Sequence, residues 1–188
     1  MTAIDGRMTG IFENLEAPEG VKAELIRGGG GEIVMTAGPD TVHNLIVSAI
    51  QHQTPYARFR ALQTQDLIIS GEAGEPQPDL VVFERGVVPE AGRLLPASAV
   101  TVAVEVVSRT SVHRDYRTKR EMYAQGGIPA YLIVDPLKGV CVLLTDPTTD
   151  TASGVPVYWA ERTSKFGDPI EVDVLGVTLD TSEFRTYA

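Results

Sequence analysis

Residues 100–136 constrain the fold more than any other part of the chain. They begin with the apolar run VTVAVEVV, continue with SVHRDYRTKREMYAQGG, and end with a second apolar run, AYLIVDP. Both runs lack the polar alternation of a half-exposed strand, so we predict strands that are covered on both faces. The middle segment predicts a helix of about three turns that ends at Gly126 and Gly127. This order of strand, helix and strand predicts an α/β fold with a mixed sheet.

The remaining segments add strands and helices around this unit. We expect a helix over residues 8–15, two short strands over 23–26 and 32–36 around a glycine turn, and a helix that begins at Pro39 and Asp40. Further β structure is predicted within residues 61–71, 78–86, 130–136 and 139–144 and in the tail from residue 155 to about Ser182. No repeat or linker divides the 188 residues. They are predicted to form one domain, in which residues 1–18 are a loosely packed N-terminal segment.

The composition narrows the possible classes of function. The chain has a net charge of −9, and its 43% hydrophobic and 22% charged residues are typical of a soluble globular protein. It shows no membrane span and no signal peptide, and its single cysteine, Cys141, excludes an internal disulfide, so we expect a cytoplasmic protein. The negative charge argues against a protein that coats nucleic acid. One basic patch still permits contact with nucleic acid, and it consists of Arg109, His113, Arg114, Arg117, Lys119 and Arg120.

Three ionisable side chains lie where the surrounding sequence is apolar. Asp79 begins the apolar strand LVVF, where a turn-forming role is the simplest explanation for an isolated aspartate. Glu105 lies among valines, and an ionised carboxylate there costs roughly several kcal/mol unless it is paired or binds a metal. An ion pair with a buried arginine and a metal site explain Glu105 about equally well. Lys119 shares a helix face with Tyr116 and Tyr123, although its long side chain could extend to solvent.

Taken together, these three side chains suggest phosphodiester chemistry. Two carboxylates on strands can hold Mg²⁺ through oxygen ligands, with water and a substrate phosphate completing the coordination shell. Such a metal lowers the pKa of a bound water and stabilises negative charge in the transition state. A lysine beside that water can orient it or offset the developing charge.

The chain resembles the Uma-type family of proposed restriction endonucleases, a branch of the PD-(D/E)XK nuclease superfamily. The matching segments are PDLVVF, VAVEVVSRTS and DYRTKREMYAQGGIPAYLIVDP, supported upstream by KAELIRG and GEIVM and near the C-terminus by DPIEVDVLGVTLD. The resemblance implies a restriction-endonuclease-like mixed β-sheet flanked by helices, with additional β structure at both ends. It also implies that Asp79, Glu105 and the backbone carbonyl of Val106 bind the metal. The superfamily's usual lysine position, two residues after the glutamate, is Val107 here, so Lys119 on the next helix takes that role.

The resemblance leads to a specific expectation about function. We expect a nuclease that uses Mg²⁺ or Mn²⁺ to hydrolyse phosphodiester bonds in nucleic acid, most simply DNA, and that acts as a homodimer. Asp115 would orient Lys119, and Glu24 would supplement the metal site unless it is a surface residue. His43 would contact phosphate or pack its helix. The phosphate backbone would be received by Arg109, Arg114, Arg117 and Arg120. The alternative is an inactive nucleic-acid-binding or protein-interaction domain that retains the nuclease fold.

Overall fold

The computed structural model of the protein describes residues 3–19, 21–26, 32–70, 74–88 and 92–187. Its α-helices are α1 (Ala3–Glu13), α2 (Thr41–Gln53) and α3 (Lys119–Gln125), and a π-helical turn (Arg114–Thr118) directly precedes α3. The strands of the described residues are β1 (Val21–Ile26), β2 (Glu32–Ala37), β3 (Phe59–Gln63), β4 (Leu67–Ile68), β5 (Gly74–Glu75), β6 (Leu80–Glu84), β7 (Leu95–Pro96), β8 (Val102–Val106), β9 (Ala130–Asp135), β10 (Val140–Thr149), β11 (Pro156–Lys165), β12 (Ile170–Val172) and β13 (Val177–Leu179). No helix within the described residues is long and apolar enough to cross a membrane.

A six-stranded sheet in the order β11-β10-β9-β8-β6-β3 forms the centre of the fold. Strands β8 and β9 pair in parallel, which requires a long crossover such as the helix between them, and all other neighbours in this sheet are antiparallel. This mixed sheet confirms the predicted fold class. The expected β structure near both ends is also present, as the sheet β2-β1-β5 and the β12–β13 pair. Strands β1 and β2 pair antiparallel, but the predicted glycine turn between them lies outside the described residues.

Both faces of the six-stranded sheet are covered, as the apolar runs predicted. Alternate residues of a strand point to opposite faces. Val102, Val104 and Val106 of β8 therefore join the cluster under α2, whereas Ala103 and Val107 join the cluster that contains α3. Glu105 belongs by this alternation to the α3 face. Cys141 is buried in β10, as predicted.

The helix between β8 and β9 differs from the sequence-based prediction. The sequence predicted one continuous α-helix, but the backbone forms a π-helical turn over Arg114–Thr118 before α3 begins. The N–H of Lys119 donates to the carbonyl of Arg114, five residues earlier. Such a turn inserts one extra residue into a helix and is frequent at functional sites.

Candidate active site

Asp79 and Glu105 lie side by side because their strands are neighbours. The antiparallel register of β6 and β8 pairs Leu80 with Val104. The next pair along this register places Asp79, which directly precedes β6, opposite Glu105 of β8. The backbone N–H of Val106 donates to Asp79 Oδ2 over 2.8 Å, which fixes the aspartate against β8. The two predicted metal ligands and the main chain of Val106 therefore form one cluster.

Lys119 joins this cluster from the helix side. Its Nζ lies 2.7 Å from Glu105 Oε1 and 2.8 Å from Glu24 Oε1. The Tyr123 hydroxyl, one turn further along α3, donates to the same Glu105 oxygen over 2.6 Å. The backbone N–H of Gln77 donates to Glu24 Oε1 over 2.9 Å. Lysine, not a buried arginine, is thus the partner of Glu105.

The burial of Lys119 and Glu24 settles two alternatives left open by the sequence. Only 2% of the Lys119 side chain is exposed, so it does not extend to solvent. Glu24 is exposed to the same small extent, so it is not a surface residue. Strand β1 packs on the α3 face of the central sheet, where its Ile26 joins the same apolar cluster as Ala103 of β8.

Asp115 has a different partner from the predicted one. Its Oδ2 accepts a hydrogen bond from the Ser111 hydroxyl, and Lys119 is held by Glu105 and Glu24 instead. The π-helical turn explains this difference, because its extra residue removes the stacking that places residues four apart together in an α-helix. Asp115 is buried, and its Oδ1 has no hydrogen-bond partner within the described residues.

Asp79 is also held by two basic side chains. His43 Nε2 lies 2.9 Å from Asp79 Oδ2, and Lys22 Nζ lies 3.3 Å from Asp79 Oδ1. Asp40 accepts a hydrogen bond from the backbone N–H of His43 and so caps the N-terminus of α2. This cap directs the first turn of α2 toward the carboxylate cluster. The sequence identified His43 as a possible phosphate contact but gave no role to Lys22.

Burial and neighbouring charges change the acidity of these groups in different directions. Burial raises the pKa of Glu105 to about 8 although Lys119 opposes it, and burial raises the pKa of Asp115 to about 6. Burial opposes the effect of Lys22 and His43 on Asp79, but the two basic groups hold its pKa well below the ordinary range. Burial likewise opposes the effect of Glu105 and Glu24 on Lys119, whose pKa is nevertheless raised.

The cluster forms the floor of an open cleft of about 680 Å³. Arg109 and Arg114 line this cleft together with Lys22 and Tyr187. The other two arginines of the predicted patch are not among the lining residues. Arg117 is exposed elsewhere on the helix, and Arg120 forms an ion pair with Glu161 of β11. The basic patch is thus split between the cleft and the opposite side of the helix.

A family model described as "Putative restriction endonuclease", Uma2, matches residues 11–182. The chain belongs to the Uma2 family. The fold of this chain is similar to that in the crystal structure of a "putative nuclease belonging to DUF820" from Anabaena variabilis, with a TM-score of 0.70 and 16% sequence identity. The match covers 92% of this chain and 94% of that chain. No protein with a curated description matches the chain significantly.

The oxygen donors of this Uma2 protein fit a divalent cation whose other ligands would be water and substrate. No three side chains among the histidines, cysteines and acids of the described residues converge into a complete metal site. Asp79, Glu105 and a main-chain carbonyl of Val106 would supply part of an oxygen shell, which is how Mg²⁺ is usually held beside phosphates. The cleft floor also contains four buried carboxylates, Glu24, Asp79, Glu105 and Asp115. Lys22 and Lys119 contact three of these carboxylates, Glu24, Asp79 and Glu105. A divalent cation bound to Asp79 and Glu105 would add positive charge among them.

Proposed function

We propose that the protein is a metal-dependent endonuclease that hydrolyses phosphodiester bonds in DNA with Mg²⁺ or Mn²⁺. The observation that carries this proposal is the contact between Lys119 and Glu105 beside Asp79, all three buried at the floor of an open cleft. Burying two carboxylates and a lysine together is costly for a structural site. The same arrangement suits a reaction in which negative charge develops on a phosphate. The family to which the chain belongs supports nuclease chemistry in general.

Asp79, Glu105 and the backbone carbonyl of Val106 would hold the metal ion. When bound, the ion supplies charge stabilisation at the phosphate and a water of lowered pKa. The bond from the Val106 N–H to Asp79 Oδ2 and that from the Tyr123 hydroxyl to Glu105 Oε1 keep the two carboxylates in position.

Lys119 is the residue that acts on the water. Its ammonium group is fixed between Glu105 Oε1 and Glu24 Oε1. It has a third N–H that can donate to the attacking oxygen or to a phosphate oxygen. Glu24 can therefore contribute by positioning Lys119 as well as by supplementing the metal site. Asp115, which the sequence assigned to positioning Lys119, would act on it through charge rather than through direct contact.

The nucleic acid would enter through the open side of the cleft. Arg109 and Arg114, which line the cleft, would receive phosphates of the nucleic acid, and His43 contacts Asp79 beside them. Arg117 and Arg120, which lie outside the cleft, would contact only the outer part of a long duplex. As the family resemblance implies, we expect two copies to act on the two strands.

Nicking of supercoiled plasmid with Mg²⁺, Mn²⁺ or EDTA tests the proposal. Wild type is compared with Asp79→Asn and Lys119→Met, and with Asp168→Asn as a matched control at an exposed aspartate. We expect cutting that requires metal, falls at least about 100-fold in both site variants and persists in the control. Metal-independent cutting, or equal cutting by Asp79→Asn, would reject the site. No cutting by a folded protein that still shifts DNA in a gel would favour the inactive binding domain.

A further inference from the structure

The cleft contains a second lysine, Lys22, which the proposed mechanism does not use. It lies on β1, two residues before Glu24, so both side chains point to the same side of that strand. Its Nζ is 3.3 Å from Asp79 Oδ1 and 3.8 Å from Glu24 Oε2. Lys22 therefore contacts one expected metal ligand directly.

The two lysines are held very differently. Lys119 makes two contacts shorter than 3 Å and is 2% exposed, whereas the contacts of Lys22 are longer and its side chain is 16% exposed. A lysine side chain has a flexible four-carbon stem and can change partner at little cost. Of the two lysines, Lys22 is therefore the one that can move from its carboxylate partners to an incoming phosphate.

The two oxygens of Asp79 also differ in their partners. Oδ2 is held by the backbone N–H of Val106 and by His43, whereas Oδ1 is bonded only to Lys22 within the described residues. If Lys22 moves away, Asp79 keeps its orientation and presents a charged oxygen to the cleft. A divalent cation on this oxygen would repel the ammonium group, because two like charges within about 4 Å interact unfavourably in a protein interior.

We propose that Lys22 pairs with Asp79 Oδ1 until a divalent cation binds to that oxygen, and that Lys22 then binds a non-bridging oxygen of the scissile phosphate. This inference rests on the proposed nuclease function. Lys22 would be a competitor of the metal and a ligand of the substrate in turn. It thereby couples metal binding to an additional positive charge at the phosphate.

Opposite effects of one substitution on metal binding and on cutting test this proposal. Lys22→Met removes the charge and keeps the length of the side chain, Lys22→Arg restores a charge, and Lys165→Met is a control at an exposed lysine of β11. Calorimetric titration with Mn²⁺ gives the metal affinity without DNA. We expect Lys22→Met to bind Mn²⁺ about 3- to 10-fold more tightly than wild type. At saturating Mn²⁺ it should cut plasmid at least about 10-fold more slowly. Lys22→Arg should recover part of the cutting, and the control should match wild type in both measurements.

Damage to the fold would not imitate this result, because a disordered site binds metal more weakly, not more tightly. Equal or weaker Mn²⁺ binding by Lys22→Met would overturn the proposal, and so would unchanged cutting at saturating Mn²⁺. A wild-type protein that binds Mn²⁺ but cuts nothing would instead reject the nuclease function. In that event, tighter Mn²⁺ binding together with a weaker gel shift of plasmid in Mn²⁺ would still support the role of Lys22. Equal Mn²⁺ affinities would again overturn it.

Discussion

The two faces of the six-stranded sheet are built from the same strands but serve different purposes. On the α2 face, β8 contributes Val102, Val104 and Val106 to a continuous apolar cluster. On the α3 face, Ala103 of β8 and Val107, the residue after the strand, join the apolar cluster, with Glu105 between them. The apolar face gains free energy from burial alone, whereas the other face must compensate buried charges with one another. The difference indicates that the α2 face stabilises the fold, whereas the end of the α3 face contains charged groups whose burial is costly.

The largest effect on this difference between the faces is expected from removing Lys119, the buried cation of the α3 face. Lys119→Met leaves the buried Glu24 carboxylate without its closest positive partner and removes the hydrogen bond that Lys119 donates to Glu105. We expect it to lower the free energy of unfolding by about 3–5 kcal/mol, the usual cost of breaking a buried ion pair. Urea unfolding at pH 7 measures this. The triple variant Lys119→Met, Glu105→Gln, Glu24→Gln should recover most of the loss. A loss below about 1 kcal/mol would show that these charges do not depend on one another.

A substitution on the apolar face should separate stability from function. Leu132 of β9 is buried in the α2-face cluster. Leu132→Ala should cost about 3 kcal/mol through lost burial and the remaining cavity. Its Mn²⁺ affinity, measured below the unfolding transition, should equal that of wild type because the Leu132 side chain points to the face opposite Glu105 and Lys119. A changed affinity would show that the two faces are coupled.

The sequence predicts the apolar framework and part of the site because both are encoded locally. Glu105 stands out as one charge in an apolar strand, and Lys119 as one charge on a helix face with tyrosines. Lys22 and the pairing of His43 with Asp79 have no local signal, since they depend on how β1 and α2 pack against β6. The π-helical turn likewise has no mark in the sequence, and it changes the partner of Asp115. The identity of the central residues is therefore visible in the sequence, whereas their partners depend on long-range packing.

Glu105 predicts a pH dependence of stability that is specific to the charged face. Its pKa is raised from the ordinary value of 4.5 to about 8, chiefly by burial. Between pH 4.5 and about 8, Glu105 therefore keeps its proton in the folded protein but loses it in the unfolded chain. The associated stability is fully present below pH 4.5 and is lost as the pH rises through 8. The charged groups that influence this titration are Lys119, Asp79, Lys22 and Asp115.

The expected slope is at most about 1.4 kcal/mol per pH unit for this single proton. Asp115, with a pKa raised to about 6, contributes in the same direction but only up to that pH. In urea unfolding with EDTA, Glu105→Gln should reduce the slope between pH 4.5 and about 8, and the slope that remains below about pH 6 belongs to Asp115. Leu132→Ala should shift the profile without changing its slope. Stability that rises from pH 5 to 8 would mean that Glu105 is ionised and paired with Lys119 throughout. In the expected case, Mn²⁺ must displace the proton from Glu105, so its affinity should increase with pH over the same interval.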